Sequence, residues 1–255
     1  MTQAATPTAD AGVPPPPVLP NGASLFLDFD GTLVAIAERP DAVRVNERLA
    51  QTLARLHRSL GGRMAIVSGR PADQIAELFG GAPAFVIAGS HGLELLRPDG
   101  GREAAQRPAG LAPARDAMVE LARAWPGVLV EDKALGSALH FRGCPQAEEA
   151  CGDLAKDLAA RHGLHLQTGK MVFELRAAGG DKGTAVRRLM TEPPMTGTTP
   201  LFVGDDDTDE PAFVAAAELG GAGIRVGGAA RATAARYRLP DVPAVLDWLD
   251  QACTR

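Results

Sequence analysis

The sequence predicts an α/β protein: a Rossmann-like parallel-sheet core with an inserted α+β cap domain. Short apolar runs alternate with amphipathic segments from Ser24 onward, the rhythm changes near residue 100, and it resumes near residue 178. Such alternation implies right-handed crossovers between parallel strands. Strands that are apolar throughout suit a sheet covered on both faces. The expected organisation is a core of residues 23–103 and 178–255 interrupted by a cap of residues 104–177.

SLFLDF is the first buried strand. In NERLAQTLARLHRSLGG, Asn46 is suited to cap a helix, Leu49, Leu53, Leu56 and Leu60 form one stripe, and Gly61 can stop it. MAIVSGR reads as a strand, PADQIAELFGG as a helix with Pro71 in its first turn, and AFVIAGSHG as a third strand. The cap then offers a helix over about 113–124, strands VLVED and ALHFR, a helix over about 146–161, and strands LHLQTG and MVFELR. The core resumes with the helix DKGTAVRRLM, the strand and acidic loop PLFVGDDDTDE, the helix PAFVAAAELG and the strand GIRVG.

Among 255 residues, 45% are apolar, enough for a core, and 29 Gly and 20 Pro against 4% aromatics suggest a loop-rich chain packed by Ala, Val and Leu. A net charge of −5 argues against nucleic acid or an anionic membrane as partner. Any anionic ligand must be met by local Lys, Arg or metal. Cys144, Cys151 and Cys253 lack paired spacing, so neither a disulfide framework nor a zinc site is expected. A reducing cytoplasm and a monomer are the expected setting. Residues 1–22 lack a basic start and an apolar stretch, and with Pro14 to Pro17 they read as a disordered or polyproline tail. No apolar run reaches the length of a membrane span.

In open parallel sheets ligands bind beyond the carboxyl ends of the strands. The apolar strands here end in Asp28 and Asp30, in Ser68, in Gly89-Ser90-His91-Gly92, and in Asp205 with Asp206. Carboxylates gathered in one place call for a divalent cation, and all-oxygen ligands favour Mg²⁺ over zinc. A calcium loop is excluded, because the glycine and glutamate it requires are Leu33 and Arg39 when counted from Asp28. Lys182 opens a helix against the preferred dipole sign, which itself suggests a functional reason.

DFDGT at 28–32, Ser68 in IVSGR, Lys182 in DKG and GDDDTDE at 204–210 occur in the order that resembles the haloacid dehalogenase superfamily of aspartate-nucleophile phosphatases. The resemblance implies that Asp28 attacks phosphorus and that Asp30 is the general acid/base. It implies Mg²⁺ held by the Asp28 carboxylate, the Asp30 carbonyl oxygen and Asp205, with Asp206 and Asp209 supporting. Ser68 and Lys182 would then neutralise the phosphoryl oxygens.

SGRP with AGSHGLEL, then HFR, GKMVFELRAAGGDKG and GDDDTDE resemble, over about residues 24–250, the trehalose-6-phosphate phosphatase family. That resemblance implies hydrolysis of trehalose 6-phosphate in trehalose biosynthesis, with a small-molecule sugar phosphate as partner. It implies a Gly-Lys...Glu segment in the cap that bonds sugar hydroxyls, matched by Gly169, Lys170 and Glu174, which on a strand would share a face. Arg70, His91 and Arg142 are further candidate phosphate or sugar contacts. One departure is ELRAAGG, where the family often has proline after the arginine, so a more flexible linker is expected. Alternatives are the same chemistry on sucrose phosphate or mannosylglycerate phosphate, a hexose-phosphate mutase, or a catalytically silent sugar-phosphate-binding module.

Overall fold

The computed structural model describes residues 13–20, 22–36, 43–81, 84–227 and 232–253. The chain divides into two compact units, Met1–Arg102 with Asp181–Arg255, and Glu103–Gly180.

The larger unit combines a mostly parallel sheet with five α-helices among the described residues. Its strands are β1 (Ala23–Leu27), β2 (Met64–Val67), β3 (Val86–Gly89), β4 (Glu94–Leu96), β10 (Thr199–Gly204), β11 (Ala222–Val226) and β12 (Tyr237–Leu239), and the short β5 (Arg102–Ala104) begins on its last residue before the division. Helices of the larger unit are α1 (Glu47–Ser59), α2 (Ala72–Leu78), α5 (Lys182–Leu189), α6 (Glu210–Glu218) and α7 (Val242–Ala252). The sheet order is β12-β11-β10-β1-β2-β3-β4-β5, parallel from β12 through β3 and antiparallel from β3 to β4.

Strand periodicity explains why the apolar runs are unbroken. Leu25 and Leu27 of β1 join Met64, Ile66, Leu201, Val203 and Ile224 on one face, packed on Leu49, Leu53 and Leu56 of α1, Ile75 of α2 and Val245 and Leu249 of α7. Phe26, Ala65, Val67 and Phe202 point the other way, onto Val186 and Leu189 of α5 and Phe213 of α6. Both faces of the sheet are therefore dry, and successive residues must all be apolar. Asn46 caps α1 by accepting the Leu49 N–H at 2.9 Å.

Polar residues can enter only where the strands end. β1 lies between β2 and β10, the point at which strand order reverses and open sheets form a crevice. The pairings Leu27 with Val203 and Leu27 with Ile66 bring the three carboxyl ends level.

The Pro-rich stretch is not a free tail in its second half. The Pro14 carbonyl accepts the main-chain N–H of Arg238 on β12 at 3.0 Å, and the Pro17 carbonyl accepts the Trp248 indole N–H of α7 at 2.9 Å. Leu19 packs on the core. The reason is that β12 is the edge of the sheet and presents unpaired main-chain groups, which proline carbonyls can satisfy from an extended backbone. Residues 1–12 and 21 of the expected tail lie outside the described residues.

The smaller unit contains α3 (Leu111–Ala124), β6 (Leu129–Asp132), β7 (Gly136–His140), α4 (Glu148–His162), β8 (His165–Gly169) and β9 (Val172–Arg176). Its antiparallel sheet runs β6-β7-β9-β8. Leu139, Phe173 and Leu175 meet Met118 of α3 and Ala155 and Leu158 of α4, while the alternate positions Glu131, His140 and Glu174 are polar. Cys144, Cys151 and Cys253 are free thiols. Among the described residues no helix is long and apolar enough to cross a membrane.

Trp248→Phe keeps the ring and removes the donor to Pro17. A neutral hydrogen bond contributes about 1 kcal/mol, so the melting temperature should fall by about 2–4 °C by calorimetry. An unchanged value would mean that the Pro-rich segment does not hold α7.

Candidate active site

Asp28 follows β1 and stays on the ladder, its N–H donating to the Val203 carbonyl at 2.9 Å. Its side chain is buried, as are Lys182 and Asp209. Lys182 Nζ donates to Asp28 Oδ1 at 2.6 Å and to Asp209 Oδ1 at 2.7 Å. The lysine reaches inward because it is the first residue of α5, whose N-cap Asp181 accepts the Thr184 N–H at 2.6 Å.

Asp209 Oδ2 accepts the N–H groups of Asp205 and Asp206 at 2.8 and 3.0 Å, closing the acidic loop on itself. Asp205 lies over Gly31, where an added Cβ would come within 2.2–2.5 Å of its carboxylate, and Gly31 has φ +84°. Both the backbone conformation and the close approach demand glycine. Carboxylate oxygens of Asp28, Asp205 and Asp209 all lie within 4.8 Å of one another.

Burial raises the Asp28 carboxyl to about 7, opposed by the Lys182 ammonium and reinforced by Asp205. Asp205 is raised to about 7 by burial and then by Asp209, and Asp209 to about 8 by burial against the pull of Lys182. The Lys182 ammonium rises above its ordinary range: burial disfavours its charge, but Asp209 and Asp28 outweigh that. Three carboxylates thus outnumber one ammonium in a desolvated place. That donor set fits a hard divalent cation, which oxygen ligands hold.

The neighbouring turns are joined. Ser68 is buried at the end of β2, and its Oγ accepts the Arg70 N–H at 3.1 Å while keeping a proton to donate. His91 donates its main-chain N–H to the Ser68 carbonyl at 2.9 Å and Ser90 donates to the Arg70 carbonyl at 2.8 Å. Ser90 and His91 both have positive φ, 48° and 57°, an uncommon conformation for side-chain-bearing residues. It turns the imidazole onto Gly69, whose added Cβ would be 2.7 Å from Nε2.

The trehalose-phosphatase family profile matches residues 26–243. The chain belongs to the trehalose-phosphatase family. It is 40% identical over 225 residues, 87% of this chain and 84% of the relative, to a probable trehalose-phosphate phosphatase of Sinorhizobium fredii. It is 37% identical over 236 residues, 90% and 86% of the two chains, to trehalose-6-phosphate phosphatase of Escherichia coli. The C-terminal domain of Candida albicans trehalose-6-phosphate phosphatase has the same fold, with TM-score 0.81 over 92% of each chain at 22% identity.

Within this trehalose-phosphatase fold the residues singled out by sequence separate into groups. Asp28, Lys182, Asp205 and Asp209 converge directly. Asp30 is half-buried and its carboxylate is held by Arg70. Asp206 is exposed and spends its carboxylate as a cap, accepting the Thr208 N–H and O–H at 2.8 and 2.6 Å, so it lies outside the carboxylate cluster.

Glu174 lies in the smaller unit, on the polar side of its sheet. The shared strand face expected for Lys170 and Glu174 is absent: Lys170 sits with Met171 in the hairpin turn between β8 and β9, where Met171 has φ +63°. The period-two argument stops at that turn. Glu174 instead receives Lys133 Nζ at 3.1 Å, and Lys133 also lies 3.9 Å from Glu131, whose carboxylate accepts from His140 Nε2 at 2.9 Å. Lys133 and Glu131 were not singled out by sequence. The signal was VEDK, polar residues in an otherwise apolar stretch. Arg142 is exposed in the turn after β7.

The raised carboxyls have a pH consequence. Between about pH 4 and 7 the metal-free folded chain keeps protons that the unfolded chain releases, so its stability falls as pH rises through that window. Thermal melts should show the metal-free melting temperature declining from pH 5 to pH 8, and a larger increase on adding a divalent cation at pH 8 than at pH 5. A cation effect that is equal at both would contradict the assignment of these carboxylates as its ligands.

Proposed function

We propose that this protein hydrolyses trehalose 6-phosphate to trehalose and phosphate, through an aspartyl-phosphate on Asp28, with Mg²⁺ as the ion. The observation that carries the reading is Asp28 held at 2.6 Å by the buried Lys182 within a carboxylate cluster, in a chain of the trehalose-phosphatase family. Asp28, Asp205 and Asp209 would hold Mg²⁺ on their oxygens, along with the Asp30 carbonyl. When bound it supplies charge neutralisation to a phosphoryl group that would otherwise be repelled by the nucleophile.

Lys182 orients Asp28 Oδ1 and presents positive charge to the equatorial oxygens, where charge spreads in the transition state. Ser68 donates its hydroxyl proton to the same group. Asp28 attacks phosphorus as the bond to the sugar oxygen breaks, and Asp30 gives that oxygen its proton. Asp30 then takes a proton from water, which attacks phosphorus and frees Asp28. His91 keeps the Ser68 turn in place. In the smaller unit Glu174 and Lys133 offer an acceptor and a donor suited to sugar hydroxyls, with Lys170 and Arg142 as further contacts. The finer expectations of a monomer in the cytoplasm and of a cap that sets specificity, residues 104–177, belong to this reading as well.

Phosphate release over a panel of sugar phosphates tests it. Trehalose 6-phosphate should be preferred by more than about tenfold, and equal rates on sucrose phosphate and mannosylglycerate phosphate would overturn the disaccharide assignment. Asp28→Asn should abolish turnover, whereas Lys182→Met should lower kcat by about 10²–10³-fold. Glu174→Gln should raise KM about tenfold while lowering kcat less; an unchanged KM would remove Glu174 from the sugar site.

A further inference from the structure

The carboxylate needed for proton transfer is engaged on both oxygens. Arg70 Nε donates to Asp30 Oδ2 at 2.6 Å and Nη2 donates to Oδ1 at 2.8 Å. This planar fork is among the strongest geometries available to a carboxylate. The Arg70 side chain is 11% exposed against 33% for Asp30, and its guanidinium stands 5.8 Å from the centroid of the Phe29 ring. Its main chain is fastened as well, N–H to Ser68 Oγ and carbonyl to the Ser90 N–H. Arg70 is therefore the fixed partner and Asp30 the one with room to turn.

An acid or base acting on the sugar oxygen or on water must direct a carboxyl oxygen at the reacting centre. Asp30 paired in this way directs both oxygens at Arg70 instead. A phosphate group presents two oxygens to a guanidinium much as a carboxylate does, whereas a lysine in this position would make a point contact only. The geometry points to a partner exchange: the substrate's phosphate takes the Arg70 guanidinium and so frees Asp30 to reach the leaving oxygen. Arg70 thus links arrival of the anion to readiness of the proton-transfer group. This deepens the phosphatase reading and rests on it.

The test uses the full chain loaded with Mg²⁺ and tungstate as a phosphate stand-in that cannot be hydrolysed. In crystals of the wild type with tungstate, Arg70 nitrogens should lie within about 3.2 Å of tungstate oxygens, with both contacts to Asp30 broken. Tungstate bound with both contacts intact overturns the exchange. In solution, calorimetry on wild type, Asp30→Asn, Arg70→Met and the double variant gives a second readout. Exchange predicts that Asp30→Asn tightens tungstate binding about tenfold, and that the gain shrinks to about twofold or less when Arg70 is Met. If Asp30 merely repels anions, the gain is larger without Arg70, because nothing then offsets the carboxylate, and that ordering overturns the proposal. So does failure of tungstate to bind both wild type and Asp30→Asn. Turnover of trehalose 6-phosphate by the wild type is measured separately: its absence sinks the phosphatase reading, and its presence with an unbroken Arg70–Asp30 pair sinks only the exchange.

Discussion

One buried ammonium organises the centre of this molecule. Lys182 stands between Asp28 and Asp209, and neither carboxylate has enough water to carry its charge unaided. Removing either side of such an arrangement leaves an uncompensated charge in a low-dielectric place, which costs several kcal/mol. The same contact serves two elements at once, because Asp209 also closes the acidic loop through the N–H groups of Asp205 and Asp206. The start of α5, the end of β1 and the loop after β10 are thereby fixed to one another. What remains is a surplus of negative charge, which is the sign that a divalent cation offsets.

That centre can exist only because the sheet beneath it is apolar on both faces. Leu25, Leu27, Ile66 and Val203 on one side and Phe26, Val67 and Phe202 on the other leave polar groups no position except the strand ends. The reversal of strand order beside β1 then concentrates those ends in one crevice. Packing and chemistry are arranged along the same axis: the more completely the strands are buried, the more sharply the reactive residues are gathered.

Much of this was legible in the chain. Unbroken apolar runs signalled doubly covered strands, and residues such as Asp28, Ser68 and Asp205 announced themselves by interrupting those runs at their ends. Other features depend on pairings between distant segments and have no local signature. Nothing within DFDGT says that Asp30 will meet Arg70, and nothing in GKMVFELR says that Glu174 will meet Lys133. The shared strand face expected for Lys170 and Glu174 fails because a period of two does not continue through a hairpin turn, here made at Met171 without the customary glycine. Asp206 looked like a ligand by its company, yet a carboxylate followed two residues later by Thr208 is also an ordinary cap. The three-residue strands β4, β5 and β12 are too short to show a period, and the Pro-rich segment found its partners on an edge that exists only in the folded sheet.

The turns after β2 and β3 are sewn together by two main-chain bonds, His91 to Ser68 and Ser90 to Arg70. The two bonds join them although twenty-odd residues of sequence separate them. Anyone grafting a different loop after β3 would also be moving the backbone beneath Arg70, and with it the resting place of Asp30, without touching a residue of the reaction itself.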